Sequence, residues 1–120
     1  MNRTYEQPAY EGQHALVAAI RVNDVARLRE SIIGAALYEE DLAFAERICR
    51  QLGTHQDEIV RGNAVLGLGH LARRFLHLSA DAIDVVRAAR SDSSAYVRGQ
   101  AHAAADDLTH FLQIDLAASK

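Results

Sequence analysis

Apolar residues recur along this chain at helical spacing. Val25, Leu28, Ile32, Ala35 and Ala36 fall on one side of a helix, as do Leu42, Ala45, Ile48, Cys49 and Leu52. A shorter stripe, Ala15, Leu16, Ala19 and Ile20, predicts a first helix from about Gln13 to Arg21. Short polar residues sit where helices should begin. Asn23-Asp24 precedes the second stripe, Glu39-Glu40-Asp41 the third, Asp57 a long fourth and Ser79 a shorter fifth. The second helix is expected to end near Tyr38. The third should end at Gly53-Thr54, with Gly53 as its C-terminal cap. The long helix should bury Val60, Ala64, Leu68, Leu71, Phe75 and Leu78, and the fifth should turn Ile83, Val86 and Ala89 inward. Ser91-Asp92-Ser93-Ser94 reads as a turn. A last long helix follows, with Val97, Ala101, Ala104, Ala105, Leu108, Phe111 and Leu112 as its stripe. The pattern predicts an all-α protein with a polar arm over residues 1–11, one domain over 12–116 and a frayed end over 117–120.

Two of these helices open with the same phrase. Val60, Arg61, Gly62 and Ala64 match Val97, Arg98, Gly99 and Ala101 at an offset of 37 residues. Self-similarity at such a period marks a repeat architecture. Leu28-Arg29 reads as an older copy, 32 residues before Val60-Arg61. The repeated arginines are expected to tie neighbouring units together, because repeat positions serve nearest-neighbour interfaces. Gly62, Gly67 and Gly69 each weaken a helix interior by about 1 kcal/mol against Ala, so three in one helix predict a closely approaching backbone.

Composition narrows the picture. A chain of 120 residues with 49% hydrophobic residues suffices for one core, and 6% aromatic residues with a single Pro favour helix over strand. A net charge of −3 argues against general affinity for nucleic acid, which needs a basic face. One cysteine excludes an intrachain disulfide and a Cys-rich metal site. The opening residues lack the apolar run of a signal peptide, and Ala15 to Ile20 is too short to span a bilayer. These features predict a cytoplasmic protein with no membrane partner and no cofactor.

The phrase and its setting resemble a HEAT repeat. Units of that family often open with an acidic or small residue, then Val-Arg, then Ala and a Leu-rich stretch. Asp57-Glu58-Ile59-Val60-Arg61 with Ala64-Val65-Leu66-Gly67-Leu68-Gly69 fits well; Ser94-Ala95-Tyr96-Val97-Arg98 with Ala101 fits less tightly. The resemblance covers about residues 24–116 but lacks the usual proline of the first helix. It implies a short α-solenoid of about two and a half helical hairpins, short of the roughly three that bury their own faces. The first helices must therefore cap the stack, or the chain must pair as a homodimer. The resemblance also implies a non-enzymatic protein-binding scaffold. Small acidic stand-alone domains of this type are similar to bacterial immunity proteins, which neutralise a cognate toxin by blocking it. A HEAT-like adaptor subunit and a HEAT-like DNA-binding or repair enzyme are the alternatives.

Candidate binding residues follow from that expectation. Glu46, Asp81 and Asp84 lie on the second helices of their units, which in a HEAT stack line the concave side. An acidic concave face suits a basic partner such as the nucleic-acid groove of a nuclease toxin. Tyr5 and Tyr10 are expected either to anchor a partner or to cover the first helices. His102, Asp106 and His110 share one face of the last helix at metal-ligand spacing, although a solvated polar face accounts for them more simply. His70 and His77 read as surface residues near a helix end. Arg47, Arg50, Arg73, Arg74, Arg87 and Arg90 would have to supply the basic cleft of a DNA-repair enzyme. Carboxylate pairs such as Asp106-Asp107 have no companion nucleophile, and Cys49 sits in an apolar stripe. No catalytic residue is assigned.

Overall fold

The computed structural model describes residues 10–116, and the expectations for Tyr5 and for residues 117–120 lie outside them. Six helices make up this region: α1 (Gln13–Val22), α2 (Val25–Tyr38), α3 (Leu42–Leu52), α4 (Glu58–Phe75), α5 (Ala80–Ala89) and α6 (Ala95–Leu112). No strand occurs among the described residues.

Five helices begin on a short oxygen-bearing side chain that accepts the backbone N–H three residues on. Asp24 serves Arg27, Asp41 Phe44, Asp57 Val60, Ser79 Ala82 and Ser94 Val97, at 2.9–3.3 Å. Each cap is worth about 1 kcal/mol because it satisfies a donor that the helix itself cannot. Asn23 and Asp24 do opposite jobs side by side. Asn23 turns left-handed (φ 53°) and closes α1, its N–H on the Ile20 carbonyl and that of Asp24 on Ala19. The third helix differs from expectation at its start. Only Asp41 caps it, while Glu39 ends α2 in an extended conformation. Gly53 does end α3, but in a right-handed conformation (φ −66°), so left-handed freedom is not its role. A Cβ there would lie 3.0 Å from Val85 of α5, and close packing explains the glycine.

The repeat extends over whole helices. The caps Asp57 and Ser94 and the left-handed end residues Leu76 (φ 57°) and Gln113 (φ 59°) each stand 37 residues apart. Each end residue returns its N–H to a carbonyl four residues back.

Helix α4 packs against α2, α3, α5 and α6, while α1 lies on α2, and α5 on α3 and α6. A single stripe was the expectation for α4, and four neighbours replace it with burial on nearly every side. Asn63, Val65, Gly67, Gly69 and Ala72 are buried along with Val60, Ala64, Leu68 and Leu71. Phe75 is only half-buried, beneath the Arg74 guanidinium at 4.7 Å. On α6, Val97, Ala101, Ala104 and Leu108 are buried, and Ala105, Phe111 and Leu112 are half-buried.

The three glycines of α4 admit three different neighbours. A Cβ on Gly69 would come within 2.9 Å of the Ala104 backbone, the expected close approach. At Gly62 the neighbour is the Tyr96 ring, at 2.7 Å, and at Gly67 it is the Cys49 sulfur, at 3.0 Å. Gly99, the repeat partner of Gly62, has nothing within 4 Å. No described helix covers that side of α6, so this glycine admits no neighbour. Cys49 is fully buried, and burial pushes its thiol up to about 12, with Glu46 adding to the effect. It packs the core as a neutral thiol.

Candidate partner-binding surfaces

Of the two arginines of the repeated phrase, Arg61 reaches from α4 to the turn before α6, whereas Arg98 stays on its own turn. Arg61 grips Asp92 with two parallel bonds, Nε–Oδ2 and Nη2–Oδ1, both 2.9 Å. Its Nη1 holds the carbonyls of His55 (2.9 Å) and Gln56 (3.2 Å), in the loop before its own helix. Arg29 repeats the grip one unit earlier, on Asp57 at 3.0 and 2.8 Å. Arg29 thus makes the same two-bond grip as Arg61, from the position read in the sequence as an older copy of the phrase. Asp57 both caps α4 and receives Arg29. In the next unit the two jobs are divided, with Ser94 as the cap and Asp92 as the acceptor.

Arg29 holds the Asp57 carboxyl at about 2, below its ordinary 3.8, chiefly through their hydrogen bonds. Hydrogen bonds from Arg61 lower Asp92 in the same way. Arg98 keeps only the inner half of the pattern. Its Nη1 holds the carbonyls of Asp92 (2.8 Å) and Ser93 (3.1 Å), and no carboxylate among the described residues meets its Nε–Nη2 edge. Asn63 adds a second tie at the centre of the molecule. Its Nδ2 donates to the Arg29 carbonyl at 2.8 Å, and its Oδ1 accepts the Tyr96 hydroxyl at 2.5 Å.

Several residues expected to face a partner are engaged within the chain. Glu46 is buried, and its carboxylate accepts the Ser79 N–H at 2.9 Å, fastening α3 to the start of α5. The expectation that Glu46 lines an open acidic face gives way to this contact. Tyr10 is half-buried against the core, and its hydroxyl donates to Glu39. Of its two expected roles, the structure displays the covering one. Burial first, then Glu39, pushes the Tyr10 hydroxyl up. Burial raises Glu39, but hydrogen bonds from Tyr10, Gln13 and the N–H groups of Asp41 and Glu40 outweigh it, and its pKa falls.

Asp81 and Asp84 remain exposed on α5. Asp81 reaches Arg50 of α3 at 3.2 Å, and Asp84 reaches Arg87 at 2.5 Å. Asp84 also stands at the rim of a groove of about 440 Å³, with Gly53, Thr54, Val85, Ala88 and the Arg61–Asp92 pair along its walls. The sequence offered no direct signal for this groove, because its parts come from four segments: the α3–α4 connection, α4, α5 and the turn before α6.

His102, Asp106 and His110 are all exposed on α6. Among the described residues no group of three or more His, Cys, Asp or Glu is arranged to hold a metal ion. His77 is exposed as expected, whereas His70 is half-buried and its pKa is lowered by burial and by Arg73. Most arginines proposed for a basic cleft have partners within the chain. Arg74 donates to the carbonyls of Ala36 and Glu39, Arg90 to that of Leu116, and Arg50 and Arg87 to carboxylates. Arg47 lies over the Phe44 ring at 5.3 Å. No described helix is long and apolar enough to cross a membrane. Comparison with protein-family models, curated proteins and solved structures finds no match.

Proposed function

We propose that this chain is a non-enzymatic protein-binding module built as a short HEAT-like α-solenoid. Three features support the architecture: the succession α2–α4–α6, the packing of α3 on α5, and the arginine grips that repeat between units. In this reading α2–α3 and α4–α5 are the hairpins, α1 covers one end and α6 forms the other.

One observation carries the binding role. The charges at repeat positions 29 and 61 are engaged by Asp57 and Asp92 within the chain, while the groove beside α5 brings the apolar Val85, Ala88 and Ala89 together with the exposed acid Asp84. Such a rigid scaffold gives a partner a fixed target, and rim acids speed and orient encounter with a basic surface. A nucleic-acid reading loses ground because four of the six arginines it needs, Arg50, Arg74, Arg87 and Arg90, are bound to carbonyls and carboxylates. Within protein binding, the most specific proposal is an immunity protein that blocks a cognate bacterial toxin.

The test is affinity capture from the native cell lysate, then titration calorimetry of the captured protein against the Asp81→Lys, Asp84→Lys double variant. A toxin domain whose affinity falls at least about tenfold on charge reversal supports the proposal. A housekeeping subunit in its place makes the chain an adaptor, and undiminished affinity removes α5 from the interface.

A further inference from the structure

The last copy of the repeated phrase keeps the arginine and glycine of the one before it, and both are exposed; Gln100 stands in place of Asn63 and is turned back to Asn63 and the Tyr96 hydroxyl. At Arg61-Gly62 those residues form a receiving station for the next unit. The outer edge of Arg61 takes the Asp92 carboxylate, the missing Cβ of Gly62 admits the Tyr96 ring, and Asn63 accepts the Tyr96 hydroxyl. The incoming element is thus a turn leading into a helix, with an acid followed four residues later by an aromatic. At Arg98-Gly99 the inner Nη1 of the arginine is fixed on its own turn just as in Arg61, five and six residues back. Arg98 is exposed, its only hydrogen bonds among the described residues are those of Nη1, and nothing lies within 4 Å of where a Gly99 Cβ would stand.

The rest of the outer face of α6 has changed in a way that limits what can bind. At an offset of 37, buried Val65, Gly69 and Ala72 become exposed His102, Asp106 and Thr109. Gly69 admits the α6 backbone, whereas Asp106 carries a side chain and a charge where a further helix would have to lie equally close. A polar outer face of this kind ends a repeat stack. The recognition features survive only in the first two turns.

We propose that these two turns of α6 bind a partner protein's turn-and-helix segment carrying an aspartate or glutamate, with an aromatic residue four positions later. The acid takes the Nε–Nη2 edge of Arg98 as a bidentate pair, and the ring lies over Gly99. The inference rests on the protein-binding reading and adds the chemistry of a second contact, away from the α5 groove.

The probe is a helix-stapled peptide with the sequence of residues 91–104, linked through positions 98 and 102 so that its acid and tyrosine stay free. It is titrated into the ¹⁵N-labelled full chain. Saturable shifts are expected at the Gly99 amide and the Arg98 Nε. Affinity should fall about tenfold with Arg98→Gln in the protein, or with Asp92→Asn or Tyr96→Ala in the peptide. Gly99→Leu should abolish binding without unfolding the protein, since the site is exposed and Leu favours helix. Absence of shifts at Gly99, or equal affinity for Arg98→Gln and Gly99→Leu, would overturn the proposal. Shifts confined to the α5 groove would also overturn it while leaving the protein-binding reading in place. Sedimentation showing a dimer that Gly99→Leu dissolves would assign the face to a second copy and contradict the partner proposed. A peptide that binds as expected, beside a lysate that yields no partner, would uphold this contact and count against the proposed function.

Discussion

Arg61-Gly62 and Arg98-Gly99 are the same two residues at the same place in two helices of equal length. One pair meets the turn before α6 and the first turn of α6 itself, and the other has no described helix against it. Identical side chains therefore have different energetic meaning. In the interior, arginine couples units and glycine makes room for a ring. At the end, arginine staples its own turn, and glycine only loosens the helix. What a repeated motif does here depends on whether another unit follows it.

The largest difference is expected between the two arginines. Arg61→Ala removes a partly buried bidentate pair and leaves Asp92 with only the Ser94 N–H as a hydrogen-bond donor. It should lower the unfolding free energy by about 2–3 kcal/mol. Arg98→Ala loses two exposed carbonyl contacts and should cost less than about 1 kcal/mol. Urea denaturation measures both, and equal losses would break the distinction between interior and end.

The next contrast lies one turn further on. Gly69→Ala drives a methyl against the Ala104 backbone, which has little freedom to retreat, and should destabilise by about 2 kcal/mol. At the equivalent position of α6, Asp106→Ala should stay within about 0.5 kcal/mol. A smaller effect is expected in acid. The Asp57 pKa is depressed in the folded state, to about 2 from 3.8, so its contribution to stability is present above pH 4. That contribution is lost as pH falls through 4 towards 2. Asp57→Asn should be less stable at neutral pH and show a shallower acid limb in thermal melts. An unchanged limb would mean that Arg29 does not stabilise the charged form.

Local chemistry made the helices legible in the sequence. Asp24, Asp57 and Ser79 are caps because of their short acceptors, and the apolar stripes of α2 and α3 are buried where their spacing placed them, except at the half-buried Val25 and Leu42 that open them. The surroundings of α4 were not legible, because a stripe shows one face and cannot show four neighbours. The same limit affected the candidate site. Glu46 shares the charge of Asp81, but the Ser79 N–H that draws it inward lies 33 residues away. Asp92 looked like turn chemistry because its partner is known only once α4 and the turn before α6 meet. The repeat itself held the best available clue, since Leu28-Arg29 already pointed to a first rung.

The most direct test of the central claim is the pair of melting temperatures for Gly62→Ala and Gly99→Ala, measured side by side. Opposite signs are expected. The Gly62→Ala methyl would sit 2.7 Å from the Tyr96 ring and should lower the melting point, while Gly99→Ala meets nothing and should raise it through about 0.5–1 kcal/mol of helix propensity. Shifts of the same sign and similar size would contradict the claim that one copy of the phrase is an interface and the other an open end.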